Sequence, residues 1–387
     1  MWKFFNYRKQ AWTRKKKCKL CGKEDITVSD VIGVCVNCLR ENPDEALKIA
    51  MKIHYETRKM FDLPSTPPKI ENGIRCSLCD IECKIPREEK GFCGLVKNEN
   101  GKLVRLGGTP DKGVLEWYYD PLPTNCVANW FCPGCKGLGY PKYAVRKNGE
   151  RGYYNLAIFY GACNLDCLFC QNWSYRQMAA KAKPFLSAEE LAEYADKRVT
   201  CICFFGGDPS PQVVHALETA KIAFNRAKNE GRIMRICWET NGHFNIHILK
   251  AVVNLSLKSG GIIKFDLKAW SSPVYKALTG IDIGNVFKNA EYIVSRASER
   301  PEVPLFTAST LLVPGYVDEY EIRMIARFLA SLDKNIPFSL LAFHPDYVLY
   351  DLPPTSVNHA KLAVKIAKKE GLRNINIGNK WVLSNYY

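Results

Sequence analysis

Residues 161–173 read GACNLDCLFCQNW and place three cysteines, Cys163, Cys167 and Cys170, in one short stretch. Their spacing is Cys-x3-Cys-x2-Cys, and Gln171 and Asn172 follow at once. A closed structural metal site takes four protein ligands, whereas three ligands leave a coordination position open. The stretch therefore predicts a metal centre with room for a further ligand.

Short apolar stretches alternate with longer amphipathic stretches from about residue 153 onwards. The amphipathic stretches, such as 211–231, have helical spacing, and the apolar ones have the length of buried strands. We expect an α/β fold in which a parallel sheet curls into a partial (βα)6 barrel. The predicted strands are residues 154–160, 200–205, 233–238, 262–267, 305–313 and 338–343.

The polar and glycine-rich motifs of this region follow the predicted strands directly. In such barrels the chemistry sits where a strand ends and the loop to the next helix begins. The pattern therefore predicts a functional site at one rim of the barrel. Besides the cysteine loop, the motifs are Gly206-Gly207-Asp208-Pro209, Glu239-Thr240-Asn241-Gly242, Asp266-Leu267-Lys268, Val313-Pro314-Gly315 and Phe343-His344.

Three thiolates suit a [4Fe–4S] cluster in which one iron has no protein ligand. S-adenosylmethionine could chelate that iron through its amino and carboxylate groups and hold its sulfonium beside the cluster. An electron from the cluster then cleaves a carbon–sulfur bond and releases a 5′-deoxyadenosyl radical, which abstracts a hydrogen atom. The cofactor carries this chemistry, and the protein orients and shields it.

The cysteine loop after the first barrel strand resembles that of the radical S-adenosylmethionine (radical SAM) superfamily. Within it, residues 150–380 are most similar to the pyruvate formate-lyase activating enzyme group and its uncharacterised archaeal and bacterial relatives. Residues 76–93 resemble a cysteine-rich segment that precedes the barrel in some of those relatives. The resemblance implies an anaerobic oxidoreductase with a [4Fe–4S] cluster, S-adenosylmethionine and a ferredoxin- or flavodoxin-type electron donor.

The resemblance also implies roles for residues beside the cysteines. Phe169 would lie against the adenine, and Asn172 would lie beside the cofactor. Gly206, Gly207 and Asp208 match a glycine-glycine-acid motif whose backbone receives the methionine ammonium, although the usual acid is Glu. Asp208 also suits the N-cap of the helix that follows, so two interpretations of this residue stay open.

Further cofactor contacts are implied at later strand ends. Lys268 offers a cation for the methionine carboxylate, and Asp266 points the same way out of its strand. In the activating enzymes the acid corresponding to Asp266, with an Asp-Thr pair matched here by Glu239 and Thr240, holds a monovalent cation. His344 matches a histidine that contacts the cofactor.

Two cysteine pairs near the N-terminus predict a zinc ribbon. Cys18 and Cys21 are separated by 13 residues from Cys35 and Cys38. Two such pairs supply four sulfurs in a closed tetrahedral site, which is typical of structural zinc. A rubredoxin-like iron site and free thiols are the alternatives.

Two further cysteine groups precede the barrel. Their density beside Gly and Pro favours metal binding, either as a second zinc or as auxiliary iron–sulfur clusters. Because the third group lacks a visible fourth cysteine, it either shares a site with the second group or leaves one iron open. The second group is Cys76, Cys79, Cys83 and Cys93, and the third is Cys126, Cys132 and Cys135.

The chain has 387 residues, is 47% hydrophobic and contains 17 cysteines. We expect a cytoplasmic protein, because no secretory signal or membrane span is visible and the cytosol keeps thiols reduced. The predicted domains are a basic arm and zinc ribbon (1–45), a helix and linker (46–72), a cysteine-rich module (73–150) and the barrel (151–387).

The net charge is +16, and the first 23 residues hold nine Lys or Arg and no acid. Such an arm is either a solvated tail or a surface for RNA or an acidic protein. The favoured substrate is a protein or peptide, by the activating-enzyme resemblance, and RNA modification is the alternative. A hypothesis of another class is a zinc-rich nucleic-acid or protein binding module on a degenerate barrel.

Other candidates have simpler interpretations. Cys201, Cys203 and Cys237 lie on predicted strands, where core packing explains small thiols. Trp173 and Tyr175 would line the substrate entrance or cover the cluster. Surface or helix positions explain the remaining histidines, which are His54, His215, His243, His247 and His359.

Overall fold

The computed structural model describes residues 11–124 and 126–387. The N-terminal part is an antiparallel hairpin followed by two helices. The second helix has Pro43 at its first position and Asp44 and Glu45 in its first turn, where acidic side chains interact favourably with the helix dipole. These elements are β1 (Lys16–Lys17), β2 (Glu24–Asp25), α1 (Val36–Glu41) and α2 (Pro43–Lys59).

The basic arm lies partly outside the described residues, which begin at position 11. Two of its cationic side chains are engaged within the protein. Arg14 forms an ion pair with Asp30. Lys16 is buried and donates to the Asp351 backbone carbonyl at 2.7 Å. These two side chains therefore have structural partners of their own.

The cysteine-rich module consists of two small antiparallel hairpins. Asn98 joins them, because its Nδ2 donates to the Ile85 carbonyl at 2.9 Å. A one-turn helix lies further along the chain, within the third cysteine group. The elements are β3 (Ile74–Arg75), β4 (Lys84–Ile85), β5 (Val96–Glu99), β6 (Lys102–Arg105) and α3 (Pro133–Lys136).

A nine-stranded sheet forms the centre of the molecule. Its strands are β7 (Gly113–Pro121), β8 (Tyr154–Tyr160), β9 (Phe185–Leu186), β10 (Val199–Gly206), β11 (Arg235–Thr240), β12 (Ile263–Asp266), β13 (Phe306–Leu312), β14 (Phe338–Ala342) and β15 (Ile375–Gly378). Their order is β15-β14-β13-β12-β11-β10-β8-β7-β9. The seven strands β8 and β10 to β15 pair in parallel. β7 pairs antiparallel with β8 on one side and with the short β9 on the other. The sheet is thus an open, partial barrel.

Helices alternate with the parallel strands. They are α4 (Tyr175–Lys181), α5 (Ala188–Glu193), α6 (Val213–Asn229), α7 (Ile246–Ser259), α8 (Ser272–Thr279), α9 (Val286–Ser295), α10 (Glu319–Leu332) and α11 (Val357–Lys369). Each longer helix buries a stripe of small or branched side chains; in α10, for example, Ile322, Ile325 and Leu329 are buried. Within the described ranges, no helix is both long and apolar enough to cross a bilayer.

All six predicted strands are confirmed, with ends that shift by one or two residues. Three strands of the sheet were not predicted. β15 is four residues long and half-buried, so it gives little hydrophobic signal. β7 comes from the segment that we assigned to the cysteine-rich module, yet it pairs along its length with β8. β9 has only two residues.

The ribbon region packs against the loops at the carboxyl rim of the barrel. Ser29 Oγ donates to Asp351 at 2.9 Å, and the Tyr316 hydroxyl donates to the Val34 carbonyl at 2.8 Å. Arg40 pairs with Glu321 on α10 at 3.3 Å. These buried links hold the N-terminal region beside the strand ends.

Residues 122–124 and 126–150 close the opposite end of the barrel. Trp130 Nε1 donates to Ser339, near the start of β14, at 3.1 Å. The Glu150 carboxylate accepts from both terminal nitrogens of Arg235, at the start of β11, at 2.8 and 2.6 Å. Glu150 and Arg235 are buried. This ion pair therefore fastens the closing segment to the sheet.

We predict that Glu150→Gln lowers the free energy of unfolding by about 3–5 kcal/mol, because it leaves the Arg235 charge buried without a partner. Urea unfolding at pH 7 measures the change. Asp196→Asn, which removes an exposed ion pair with Arg198, is the matched control and should cost less than about 1 kcal/mol. Equal losses in the two variants would contradict this account of the barrel end.

Candidate functional site

The predicted rim holds a cavity of about 190 Å³. Its wall contains residues from the cysteine loop and from the ends of β10, β11 and β12, with Leu341 and Asn379 from the far side of the sheet. The lining includes the predicted residues Cys163, Cys167, Phe169, Cys170, Asn172, Gly206, Gly207, Asp208, Glu239, Thr240, Asp266 and Lys268. The structure thus brings together in one place nearly all the residues that the sequence singled out.

The three thiols of the loop face this cavity. Cys163 and Cys167 are buried, and Cys170 is half-buried. Burial raises the pKa of the Cys167 thiol to about 12, although the Lys268 ammonium acts in the opposite direction. A cationic metal centre overcomes such a shift, since a coordinating thiol is deprotonated outright. The Cys163 sulfur also accepts from the Leu165 backbone N–H at 3.3 Å.

A buried carboxylate fixes the path of the loop between its cysteines. Asp166 accepts from Arg176 Nη2 at 2.6 Å and from Thr57 Oγ1 at 3.0 Å, and it lies 2.9 Å from His54 Nδ1. Burial alone would raise the pKa of Asp166, but the His54 hydrogen bond and the Arg176 charge lower it to about 2. Because His54 and Thr57 belong to α2, the N-terminal helix positions the cysteine loop.

Two glycines let the end of β10 approach that loop. Gly206 has φ of +106°, and a Cβ there would lie 2.5 Å from the Phe159 Cα. A Cβ on Gly207 would lie 2.1 Å from the Ala162 carbonyl oxygen. Only glycine fits such an approach, so the strand end and the loop meet backbone to backbone.

Asp208 is engaged by the protein itself. Its carboxylate accepts from the Ser210 N–H at 2.8 Å, from Thr240 Oγ1 at 2.9 Å and from the Asn241 N–H at 2.8 Å. The side chain is buried. Asp208 does not cap the helix that follows, because α6 begins at Val213 with Gln212 at its N-cap. Its hydrogen bonds instead join the ends of β10 and β11 within the cavity wall.

Lys268 and Asp266 form an ion pair at the end of β12. The Lys268 ammonium lies 5.6 Å from the centre of the Phe169 ring. Asp266 Oδ1 is buried and has no hydrogen-bond partner among residues 11–124 and 126–387. An unpaired buried acceptor is costly, so this oxygen is suited to a donor group of a bound ligand.

Of the remaining predicted cofactor contacts, Asn172 and Glu239 line the rim cavity, and His344 lies outside its described lining. Asn172 Nδ2 donates to the Gly206 carbonyl at 3.2 Å, and Glu239 lies 3.5 Å from Lys264 below the cavity. His344 pairs with Asp346 at 3.1 Å, and its side chain is 39% exposed. The described lining of the cavity does not include His344.

The two aromatic residues after the cysteines have different positions. Tyr175 is buried, lines the cavity and donates to the Leu165 carbonyl at 2.9 Å. Trp173 is exposed and stacks on Tyr347, with ring centres 6.0 Å apart. Tyr175 therefore supports the loop, and Trp173 lies at the outer surface of the rim.

The ribbon cysteines are arranged as a single metal ion requires. The sulfurs of Cys18 and Cys38 are 3.8 Å apart, and those of Cys21 and Cys35 are 3.7 Å apart. Ligands about 2.3 Å from a tetrahedral zinc ion have nearly the same separation. All four sulfurs lie within 4.8 Å of one another, so the group could bind zinc.

The second cysteine group gathers beside the rim site. Cys76, Cys79, Cys83 and Cys93 line a narrow cavity of about 20 Å³ together with Asn164. Asn164 belongs to the cysteine loop, and its Oδ1 accepts from Asn241 at 2.7 Å. This group therefore abuts the loop from behind.

The third cysteine group lies in another place. Cys126 and Cys132 line a cavity inside the lower barrel, away from the cavity of the second group, which disfavours the alternative of a shared site. Cys201 and Cys203 are buried, as core packing requires, and together with Cys237 they also line this lower cavity. Alternate residues of a strand point to one face of the sheet, which turns all three toward the barrel interior.

Two histidines were interpreted too simply. His54 contacts Asp166, as described above, and His243 Nδ1 lies 2.6 Å from Asp80, with its Nε2 2.7 Å from the Tyr275 hydroxyl. Both rings are fully buried. No local sequence pattern reports such pairs, because their partners are distant in the chain.

Residues 157–329 match the family model of the radical SAM superfamily. Over these residues the barrel is similar to a radical SAM domain. The match runs from β8 into α10 and includes the cysteine loop and the ends of β10, β11 and β12. The superfamily implies a [4Fe–4S] cluster and S-adenosylmethionine, and the three cavity thiols and the unpaired Asp266 oxygen fit that pair.

Two relatives come from Methanocaldococcus jannaschii. The uncharacterized protein MJ0808 is 27% identical over 318 residues, which cover 80% of this chain and 82% of the relative. The uncharacterized protein MJ0674 is 23% identical over 376 residues, which cover 90% of this chain and 92% of the relative. The similarity to both thus extends beyond the radical SAM domain.

Two solved structures have a detectable likeness to this chain. A domain of pyruvate-formate lyase-activating enzyme from Bacteroides vulgatus is 21% identical, with a TM-score of 0.36 over 46% of this chain and 98% of the domain. Streptococcus suis SuiB is 19% identical, with a TM-score of 0.41 over 57% of this chain and 47% of SuiB.

We predict that Asp166→Asn destabilises the protein by about 3–5 kcal/mol at pH 7, because the buried Arg176 guanidinium loses its counter-charge. Because the folded pKa of about 2 is below the ordinary value of 3.8, this stabilisation is complete above about pH 4 and is lost as the pH falls toward 2. Unfolding midpoints at pH 7 and pH 3 measure the effect.

The matched control is Asp282→Asn, which removes an exposed carboxylate paired with Lys276. It should leave both midpoints nearly unchanged. If Asp166→Asn behaved like this control and retained iron equally well, the proposed anchoring of the cysteine loop would be excluded.

Proposed function

We propose that this chain is a radical SAM enzyme that cleaves S-adenosylmethionine reductively and abstracts a hydrogen atom from a protein or peptide substrate. The observation that carries the proposal is the single rim cavity that holds three thiols, an ion pair and glycine backbone together. When bound, the cluster and S-adenosylmethionine supply a 5′-deoxyadenosyl radical. The residues of the chain bind, orient and shield them.

Cys163, Cys167 and Cys170 would hold the cluster through three of its irons. The backbone N–H of Leu165 and the Asn241 side chain, 3.3 and 3.8 Å from the Cys163 sulfur, would donate to this ligand. Such hydrogen bonds to cluster sulfurs raise a reduction potential. The loop thus supplies both ligands and electrostatic tuning.

Residues around the thiols would orient S-adenosylmethionine. Lys268 offers its ammonium to the methionine carboxylate, and Phe169 offers an apolar face to the adenine. The carbonyl groups around Gly206 and Gly207 suit the methionine ammonium, as in the activating-enzyme motif. The unpaired Asp266 Oδ1 gives a further acceptor in the same wall.

A polypeptide substrate is supported by the resemblance of the rim motifs to the activating enzymes. The rim is also accessible, since Gln171, Asn172 and Trp173 are exposed beside the cavity. An external electron donor of ferredoxin or flavodoxin type would reduce the cluster. RNA is less favoured, because Arg14 and Lys16 of the basic arm have partners within the protein.

The proposal predicts cofactor cleavage that depends on the loop. Wild-type protein, reconstituted with iron and sulfide and reduced without oxygen, should convert S-adenosylmethionine to 5′-deoxyadenosine and methionine. The variant Cys163→Ala, Cys167→Ala, Cys170→Ala should fall to the level of buffer alone, because no cluster remains to deliver the electron. Liquid chromatography with mass spectrometry measures both products.

Leu217→Ala serves as a control for buried truncation, because Leu217 is a buried residue of α6 away from the rim cavity. It should retain cleavage per folded molecule. Cleavage by the triple variant, or none by the reconstituted wild type, would sink the proposed chemistry. Deuterium transfer from labelled peptides to 5′-deoxyadenosine then identifies the substrate class.

We also propose that the ribbon holds zinc. The purified protein should contain about one zinc ion in this site, and Cys18→Ser with Cys38→Ser should remove it. Elemental analysis measures the loss, and Lys19→Ser, an exposed change in the same loop, is the control. Retention of zinc by the double variant, or iron in its place, would refute the assignment.

A further inference from the structure

A second cavity lies inside the barrel below the rim site. It has a volume of about 230 Å³ and is lined by five thiols. Two of them, Cys126 and Cys132, come from the segment that closes the barrel. The other three, Cys201, Cys203 and Cys237, come from the sheet.

The alignment of β10 with β11 brings the three thiols of the sheet together. Cys201 and Cys203 alternate along β10 and therefore face the same side. In the parallel pairing of β10 with β11, Cys203 lies beside Cys237. The barrel interior thus receives three adjacent thiols from two neighbouring strands.

A buried ammonium lies among these sulfurs. Lys264 Nζ is 3.1 Å from the Cys126 sulfur and 3.0 Å from the Cys203 sulfur. It also lies 3.5 Å from the Glu239 carboxylate, and the Lys264 side chain is only 3% exposed. An isolated buried cation is costly, and the Glu239 carboxylate is an anionic partner for it in this cavity.

Core packing does not account for this arrangement. A buried thiol that only fills space is surrounded by apolar groups, and a protein interior has few voids larger than a water molecule. Here the wall also contains Asp120, Asn155, Arg235 and Lys264 around a sizeable cavity. Polar groups that converge on such a space point to a charged ligand.

We propose that this cavity holds an auxiliary iron–sulfur cluster, ligated by Cys126 and Cys132 together with thiols of Cys201, Cys203 and Cys237. Cysteine is the usual ligand of such clusters. Lys264 would donate to the thiolates and offset the negative charge of the centre, which raises its reduction potential.

The spacing of the sulfurs favours a cluster over a single ion. The ribbon sulfurs lie within 4.8 Å of one another, as one tetrahedral ion requires. Among the residues the structure describes, no group from the lower cavity meets that spacing. A multi-iron cluster holds its cysteine sulfurs further apart than a single ion does, and the cavity provides the space.

The cavity places the proposed auxiliary cluster directly beside the rim site. Phe205 and Glu239 line both cavities, so the two spaces meet across these side chains. The chain would therefore carry a second redox centre inside the same barrel, directly below the site for S-adenosylmethionine. This centre goes beyond the proposed radical chemistry and does not depend on it.

The test is iron and sulfide analysis of the full chain after anaerobic reconstitution. To isolate the lower site, both proteins compared carry Cys163→Ala, Cys167→Ala and Cys170→Ala. Adding Cys126→Ala and Cys203→Ala should remove about two to four irons per chain with equal sulfide, according to cluster type. Leu122→Ala, which truncates another buried side chain of the same cavity, should remove none.

A second variant keeps every thiol of the lower cavity and therefore guards against misfolding. In the same background, Lys264→Met should leave the iron content unchanged and lower the midpoint potential of the auxiliary cluster, followed by electron paramagnetic resonance during redox titration. Unchanged iron in the double alanine variant, loss of zinc instead of iron, or an unchanged potential in Lys264→Met would each overturn the proposal.

Discussion

The arrangement of the rim site depends on one buried carboxylate, that of Asp166. Asp166 sits between the cysteines of the loop and is held by Arg176 on one side and by His54 and Thr57 of α2 on the other. Leu165 and Leu168 pack parts of the loop into the core, and the Asp166 contacts fix the polar stretch between them. This ionic anchor makes the N-terminal region part of the rim site.

The parallel sheet organises the chemistry along its axis. Its carboxyl ends carry the cysteine loop, the two glycines and the Lys268–Asp266 pair, while its lower half carries inward-facing thiols. Barrels of this type ordinarily use the lower end for stability and the upper end for chemistry. Here the Glu150–Arg235 ion pair stabilises the lower half of the barrel. The thiols beside it are free to ligate the proposed auxiliary cluster.

Local sequence patterns were sufficient to predict most of the parallel sheet and most residues of the rim cavity. The apolar runs predicted six of the nine strands, and the motifs after them predicted most of the rim lining, because strand ends in a parallel sheet meet at one edge. The partners of Asp166 and His243 could not be predicted, since they lie far away in the chain. The inward direction of Cys203 and Cys237 depends on strand register, which periodicity alone does not give. His344 matched a family position, yet its side chain pairs with Asp346 outside the cavity.

The docking of the ribbon against the rim bears on how the protein matures. Ser29, Tyr316 and Asp351 bury the contact between the ribbon and the barrel, and α2 continues from the ribbon to Asp166. The ribbon precedes the barrel in the chain, and small metal-binding folds often form only around their ion. With the proposed ion in the ribbon, metal loading would have an order: the ribbon would fill first, and the cysteine loop would become a competent receptor for its own cluster only afterwards. Scarcity of the first metal would then leave the second site unfilled even where iron is abundant.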